Sequence, residues 1–236
     1  MSVDRWLAVA QSEVMRCSVL VTTLICVAVL FACGEPLDGE PFDRGEGSSE
    51  SRVDYFERYP DAPYGNSVGA VIEDMDFLGW HNASAEGFDS ARVRRISLRE
   101  FHDPDGSLGI KLIMINVAAS WCAACQIEYE RFDEDGSYAY YRERGVEFVG
   151  TLYEGPAGAP ASFEDLEHWG ETFEVAFPFV LDPGFQMGSY FNRAATPMNM
   201  LVDAKTMRIL RIEEGWSVEE DSSYWNLVEY ELSLRQ

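Results

Sequence analysis

Apolar runs of strand length alternate with helix-like segments along the chain after residue 67. This alternation predicts an α/β domain. The first two runs flank the turn sequence Asp103-Pro104-Asp105-Gly106, so we expect them to form a hairpin. The second run is apolar except for Lys111 and Asn116, which predicts a central strand. The strand-like runs cover residues 93–101, 110–118, 146–153, 177–181, 198–203 and 208–212.

Three helices are predicted between and after these strands. The first covers about residues 122–144 with a break near Gly136, and it joins the flanking strands as a β-α-β unit. The chain ends in the order strand, strand, helix. The other two helices have starts that resemble capping boxes, Ser162 with Asp165 and Ser217 with Glu220.

The amino-terminal part of the chain has the pattern of an export signal. Residues 17–33 are seventeen positions without a charge, and Arg16 precedes them directly. A membrane-spanning helix needs about 20 apolar residues, so cleavage is favoured and a retained anchor is the alternative. Translation from Met15 instead of Met1 would place Met-Arg immediately before the apolar stretch, as signals usually have it.

The apolar stretch ends in Leu-Phe-Ala-Cys-Gly, which resembles the lipobox of bacterial lipoproteins and marks Cys33 for lipidation. A plain signal with a chance cysteine is the alternative. Residues 34–66 are rich in Gly, Pro, Ser and acids, which predicts a flexible acidic linker. We therefore divide the chain into a signal peptide of lipoprotein type (1–33), a linker (34–66) and a folded domain (67–236).

The charge of the chain limits its partners. Forty-one acidic against eighteen basic residues give a net charge of -23, which disfavours nucleic acid and anionic lipid surfaces as binding partners. Hydrophobic residues make up 47% of the sequence, enough for a packed core. Of the five cysteines, processing of the signal would leave only Cys122 and Cys125 in the folded domain.

Cys122 and Cys125 form a Cys-Ala-Ala-Cys motif where an apolar strand ends and a helix begins. Unpaired backbone N–H groups and the helix dipole stabilise an anion at that place, which lowers the pKa of a thiol. Cys122 is therefore the candidate nucleophile. Cys125 lies one helical turn deeper and can resolve a mixed disulfide by intramolecular attack.

Three other interpretations of the motif are weaker. A structural zinc site needs four ligands, and the domain offers no further Cys and only three histidines at unsuitable spacings, His81, His102 and His168. A pair of ordinary buried cysteines is the second alternative. A peroxidase is the third, but Ala119 and Ile115 stand where peroxiredoxins have Pro and Thr.

The run NVAASWCAACQIEYE, residues 116–130, resembles the active-site segment of the membrane-tethered TlpA/ResA group of thioredoxin-like proteins, within the redoxin family. The resemblance covers residues 90–236 and leaves 67–90 as an amino-terminal extension. Asn116, Glu128 and the Thr196-Pro197 pair match residues of that group. Ala124 departs from it, because most members have Pro there.

The resemblance implies roles for individual residues. Pro197 would follow a cis peptide bond, leaving the backbone of Thr196 free to pair with an extended substrate. Glu128 would relay the proton of Cys125, which requires burial and a raised pKa; an exposed helix glutamate is the alternative. Trp121 would cover the sulfurs and contact substrate, or be a core aromatic at the end of the strand.

The resemblance also implies a fold and an activity. The fold is thioredoxin-like, with a central mixed β-sheet flanked by helices and an amino-terminal extension. The activity is exchange of disulfides with protein substrates in the periplasm or cell envelope, without cofactor or metal, by a lipid-anchored enzyme served by a membrane or soluble thiol electron donor. Alternatives are a non-catalytic redox-sensing or partner-binding lipoprotein on the same fold, and delivery of copper or haem by the two thiolates.

Overall fold

The computed structural model describes residues 59–235, apart from the side chains of residues 133–134 and 218–222. The signal segment, lipidation of Cys33 and most of the linker were predicted for residues 1–58 and lie outside the described residues. Residues 59–66 belong to the predicted linker, and the Tyr59 hydroxyl there donates to the carbonyl of Ile72 at 2.8 Å. Across the described residues, no helix is both long enough and apolar enough to span a membrane.

A seven-stranded mixed sheet forms the centre of the described region. Its strands in chain order are β1 (Asp76–Trp80), β2 (Arg94–Ser97), β3 (Leu112–Ala119), β4 (Val146–Glu154), β5 (Phe179–Leu181), β6 (Met198–Asp203) and β7 (Arg208–Glu214). Their spatial order is β2-β1-β5-β4-β3-β6-β7. The neighbours β3, β4 and β5 run parallel, and the other pairs are antiparallel.

The helices of the described region are α1 (Ala83–Glu86), α2 (Ala123–Glu134), α3 (Ser137–Arg142), α4 (Phe163–Thr172) and α5 (Val218–Ser233). The predicted break is confirmed, because Gly136 separates α2 from α3 with a φ of 61°, a value that glycine adopts without steric cost. The helix predicted from Ser162 is α4, and the Ser162 hydroxyl accepts a hydrogen bond from the backbone N–H of Asp165. The last helix, α5, begins directly after Ser217.

The strand β3 lies inside the sheet, between β4 and β6, and every one of its eight residues is buried. The prediction of a central strand is therefore confirmed. Because β3 and β4 are parallel and joined by α2 and α3, the predicted β-α-β unit is also confirmed. The antiparallel pair β6 and β7 precedes α5, as the sequence predicted.

The predicted hairpin between residues 93–101 and 110–118 is wrong. Strand β2 pairs with β1 instead of β3, and Leu98–Phe101 forms a 3-10 turn. The Asp103 carboxylate accepts hydrogen bonds from the backbone N–H groups of Leu108 and Ile110, which holds the intervening residues as a loop. Asp-Pro-Asp-Gly thus closes a loop between strands that do not pair with each other.

The predicted extension, residues 67–90, contributes β1 to the sheet between β2 and β5. Backbone approach is unusually close here: a Cβ atom on Gly79 would lie 2.2 Å from the carbonyl oxygen of Phe179 in β5. Glycine at position 79 therefore permits the pairing of β1 with β5.

Candidate active site

The two cysteines of the motif lie at the junction between β3 and α2. The chain turns at Ser120, whose backbone N–H donates to the carbonyl of Glu154 at 2.8 Å, and α2 begins one residue after Cys122. Cys122 and Cys125 form a disulfide, and their exposed fractions are 4% and 0%. The backbone N–H of Cys125 points at Cys122 Sγ from 3.1 Å, the position from which a helix N-terminus stabilises a negative charge.

The loop before β6 faces the disulfide. The Thr196-Pro197 peptide bond is cis, and the Thr196 carbonyl oxygen lies 3.7 Å from Cys122 Sγ. The Thr196 hydroxyl donates to the carbonyl of Arg193 and accepts from the Tyr153 hydroxyl, both at 2.8 Å. Tyr153 lies on β4 and Thr196 directly precedes Pro197 and β6, and β4 and β6 are the two neighbours of β3 in the sheet. The two hydrogen bonds therefore hold Thr196 beside the sulfur at the end of β3.

Behind the disulfide, Glu128 joins two asparagines in a buried polar triangle. The exposed fractions are 2% for Glu128, 2% for Asn116 and 3% for Asn199. One Glu128 oxygen accepts from Asn116 Nδ2 at 2.8 Å, and the other accepts from Asn199 Nδ2 at 2.5 Å. Asn116 Nδ2 also donates to Asn199 Oδ1 at 2.9 Å, which closes the triangle. Glu128 is therefore not an exposed helix glutamate.

The triangle requires two acceptors on residue 128. Asn116 presents its NH2 group to both neighbours, so Asn199 presents its oxygen to Asn116 and its NH2 group to Glu128. Every contact then joins a donor to an acceptor only if both oxygens of Glu128 accept. A carboxylate accepts at both oxygens and meets this requirement, whereas an amide at position 128 has only one acceptor.

Trp121 lies at the solvent-exposed rim of the site. Its side chain is 46% exposed, which excludes the alternative of a core aromatic. The indole N–H donates to Glu154 Oε2 at 2.8 Å, and the other oxygen of Glu154 pairs with Arg193 at 2.7 Å. The Arg193 guanidinium also lies over the ring of Phe185, 4.8 Å from its centroid. Trp121, Glu154 and Arg193 thus connect the start of α2 to the loop before β6.

Burial dominates the electrostatics around the triangle. Desolvation, with the Glu128 charge as a second cause, raises the pKa of Tyr129 well above its usual value. The pKa of Tyr224 is raised well above 10 by desolvation first and then by the charges of Glu128 and Glu213. Both hydroxyls therefore stay protonated and can act only as neutral donors or acceptors.

Apart from the two sulfurs, the described part of the chain offers no grouping for a metal. Among residues 59–235, no three His, Cys, Asp or Glu side chains are arranged to hold an ion. His81 stacks on Phe101, His102 is buried with Nε2 3.2 Å from the carbonyl of Lys205, and His168 is exposed. These histidines are structural or surface residues, as the sequence predicted.

The structure thus brings together Cys122, Cys125, Glu128, Thr196 and Pro197, with Trp121 at the rim. Sequence reasoning missed Asn199 and Glu154. A signal for Asn199 was present, because it is a lone amide in the otherwise apolar start of β6. Glu154 gave a weaker signal, since it stands at the end of a strand in a chain rich in acids.

Two curated proteins are similar to this chain, although no protein-family model matches the sequence. Thiol-disulfide oxidoreductase ResA of Geobacillus kaustophilus (strain HTA426) is 28% identical over 111 residues, which are 47% of this chain and 59% of that protein. The protein of the same name from Geobacillus thermodenitrificans (strain NG80-2) is 27% identical over the same shares. The match therefore spans less than two thirds of either relative.

Solved structures share the architecture. A candidate thiol:disulfide interchange protein DsbE from Chlorobium tepidum aligns with a TM-score of 0.54 at 15% identity, over 71% of this chain and 99% of that one. A candidate protein disulfide isomerase from Bacteroides thetaiotaomicron aligns with a TM-score of 0.53 at 19% identity, over 74% of this chain and 95% of that one. Together with the mixed sheet and its flanking helices, these likenesses confirm the predicted thioredoxin-like fold.

Proposed function

We propose that this chain is a thiol-disulfide oxidoreductase of the redoxin family that exchanges disulfides with protein substrates through Cys122 and Cys125. The observation that carries the proposal is the disulfide at the start of α2, beside the carbonyl of Thr196. A helix N-terminus and a directed backbone N–H stabilise the thiolate that such exchange needs. The names of the two relatives, both thiol-disulfide oxidoreductases, support the same chemistry.

The reduced chain begins the reaction with the Cys122 thiolate. Its sulfur attacks one sulfur of the substrate disulfide, so that a Cys122–substrate bond forms, the substrate S–S bond breaks and one substrate thiolate leaves. The backbone N–H of Cys125, 3.1 Å from Cys122 Sγ in the oxidised state, stabilises the attacking anion.

Cys125 completes the exchange. Its sulfur attacks Cys122 Sγ, which forms the internal disulfide and releases the second substrate thiolate. Two electrons have then passed from the chain to the substrate, and each released thiolate takes a proton. Cys125 is fully buried, so its own proton needs an acceptor within the protein, and we assign that role to Glu128 three residues further along α2.

Thr196, Pro197 and Trp121 position the substrate. The backbone of Thr196 lies beside Cys122, where its carbonyl can pair with an extended peptide. Trp121 offers an exposed aromatic face anchored through Glu154, and Ile127, 44% exposed, adds an apolar surface further along α2. A chain segment around a substrate disulfide fits these contacts.

We further propose that the enzyme works outside the cytoplasm. The signal-like residues 1–33, lipidation at Cys33 and the acidic linker 34–66 would tether the domain to a membrane, in the periplasm or cell envelope. A membrane or soluble thiol donor would regenerate the dithiol. Replacing Cys33 by Ser tests the anchor: the variant should leave the membrane fraction, and a variant that stays there contradicts lipidation.

An insulin-reduction assay with dithiothreitol as electron source tests the activity. The wild-type chain should accelerate insulin reduction, and Cys122→Ser should abolish the acceleration because no mixed disulfide forms. A redox sensor would show no turnover in the wild type, and residual acceleration by Cys122→Ser at the wild-type rate would contradict the assignment of the nucleophile.

A further inference from the structure

An irregularity in β4 directs a glutamate to the rim of the active site. The register of β4 against β3 shifts by one residue here, so that Ala119 lies opposite Glu154 and Tyr153 is the extra residue. Successive side chains of a regular strand point to opposite faces, and an extra residue changes the direction of the next side chain. Both side chains contact Arg193: one guanidinium nitrogen lies 2.7 Å from the Glu154 carboxylate, and the guanidinium carbon lies 5.5 Å from the centroid of the Tyr153 ring. Two successive residues of β4 therefore face the same loop.

Each carboxylate oxygen of Glu154 contacts a different wall of the site. Oε2 accepts a hydrogen bond from the indole N–H of Trp121 at 2.8 Å, on the turn that leads into α2. Oε1 pairs with Arg193 at 2.7 Å, in the loop before β6. Glu154 is buried, and a buried carboxylate is stable only with partners such as these. One charged group on β4 thus holds both walls.

Arg193 extends the connection to the backbone of the loop that faces the disulfide. Its carbonyl accepts a hydrogen bond from the Thr196 hydroxyl at 2.8 Å, and its guanidinium carbon lies 4.8 Å from the centroid of the Phe185 ring. The ring and the Glu154 carboxylate both restrict the long arginine side chain. A continuous series of contacts therefore runs from Trp121 through the ion pair to Thr196.

We propose that Glu154 is a positioning residue that fixes the docking groove for the protein substrate between Trp121 and Thr196. The inference rests on the proposed function, because it concerns how the same site binds its substrate. Glu154 acts through Trp121 and Arg193 and not on the sulfurs. A side chain that is ordered before binding loses less conformational entropy when the substrate docks, which is worth about two- to tenfold in affinity for one long side chain.

Two disulfides of different size distinguish docking from sulfur chemistry. Insulin needs the groove, because a chain segment must lie across Trp121 and Thr196 to reach Cys122. Ellman's reagent is a small aromatic disulfide that reacts with the Cys122 thiolate directly, so the first release of thionitrobenzoate reports the reactivity of that sulfur. Loss of a positioning residue therefore weakens the reaction with insulin and spares the reaction with Ellman's reagent.

Glu147 provides a matched control on the same strand. It is buried, accepts a hydrogen bond from the Tyr138 hydroxyl at 2.9 Å and pairs with Arg142 at 2.9 Å. Its partners are thus of the same kinds as those of Glu154, an aromatic donor and a partly exposed arginine, but it lies near the start of β4 and the active site lies at the end of that strand. Loss of either glutamate should destabilise the fold, and only loss of Glu154 should affect docking.

The insulin-reduction assay with both variants tests the proposal. We expect Glu154→Ala to raise the KM for insulin about fivefold, with kcat and the first release from Ellman's reagent within about twofold of wild type. Glu147→Ala should leave all three quantities within about twofold of wild type. If the alanine variants do not fold, Glu154→Gln and Glu147→Gln keep the shape of each side chain. The amide NH2 of Glu154→Gln must face either Trp121 or Arg193, both of them donors, so this variant loses one contact and should raise the KM about threefold.

A KM for insulin that rises equally in the two variants of a pair, or in neither, would overturn the proposal. An equal loss of reactivity towards Ellman's reagent in the Glu154 variant would also overturn it, because Glu154 would then act on the sulfur itself. Absence of insulin reduction by the wild-type chain would instead contradict the proposed function.

Discussion

Replacing Glu128 by Gln converts one of two acceptors in the buried triangle into a donor. Asn116 presents one group to both neighbours, and Asn199 presents opposite ends of its amide. With glutamine at this position, no combination of amide orientations satisfies all three contacts: either two NH2 groups or two oxygens face each other. The variant therefore keeps the shape of the triangle and loses one of its three hydrogen bonds.

The expected cost follows from burial. All three side chains are at most 3% exposed, so water cannot replace the lost partner. An unsatisfied buried polar group costs about 1–3 kcal/mol, and removal of a buried charge returns part of this. We expect Glu128→Gln to lower the free energy of unfolding of the oxidised protein by about 2 kcal/mol.

A compensating change provides the control. Asn199→Asp alone sets two carboxylates against each other, so one must take up a proton, and it should also cost about 2 kcal/mol at neutral pH. In the double variant, Glu128→Gln with Asn199→Asp, the new glutamine amide donates to the new aspartate and accepts from Asn116, and Asn116 donates to that aspartate. All three contacts are satisfied again, so we expect stability within about 0.5 kcal/mol of wild type.

Urea unfolding of the wild type, the two single variants and the double variant measures this coupling. The unfolding midpoints are compared with one common slope of unfolding free energy against urea concentration. The expected interaction energy is about 4 kcal/mol, and additive effects of the two substitutions would refute the hydrogen-bond assignment. The same variants separate stability from proton transfer. When the reduced protein reacts with Ellman's reagent, the first thionitrobenzoate leaves as Cys122 attacks and the second as Cys125 resolves the adduct. The double variant should be stable yet slow in the second release, because an amide at position 128 takes no proton from Cys125.

Three further predictions concern the rim, the pH dependence and the sheet. Trp121→Ala should raise the KM for insulin about tenfold with little change in kcat, while Tyr140→Ala, another exposed aromatic, should not; equal effects would contradict a substrate contact at Trp121. Burial lowers the pKa of His102 below 6.5, so the unfolded state binds more protons below that pH and stability falls on acidification. His102→Gln should therefore show a smaller drop in urea midpoint than wild type between pH about 7 and about 5, and an equal drop would exclude this contribution. Gly79→Ala should destabilise the protein by about 3 kcal/mol or more, because the new Cβ would lie 2.2 Å from the Phe179 carbonyl oxygen; thermal unfolding at the wild-type temperature would contradict that close approach.

The parts of the fold that follow local rules were predictable. Residues 110–118 are apolar except for Lys111 and Asn116, and a strand buried on both faces needs such a composition. Ser162 and Asp165 bond each other's backbone across one helical turn, so their spacing alone marks the start of α4. Gly136 marks the break in the long helix because it is the residue that adopts a left-handed conformation at least cost.

Pairing between distant segments was not predictable in this way. The loop at Asp103 and a hairpin turn have the same sequence signature, and only the partner strand distinguishes them. That partner, β1, is five residues long and lay within a segment treated as an extension. Asn199 joins Glu128 across 71 residues of sequence, so its polar side chain could be noticed but its partner could not be named.

Trapping the mixed disulfide tests most directly the claim that Cys122 attacks and Cys125 resolves. Reduced Cys125→Ser is mixed with insulin, and peptide mapping by mass spectrometry locates any covalent link. A thiol-reversible adduct through Cys122 should accumulate, because the second sulfur that would displace it is absent. No adduct with Cys125→Ser, or an equal yield through Cys125 in the Cys122→Ser variant, would contradict the assignment of the two sulfurs.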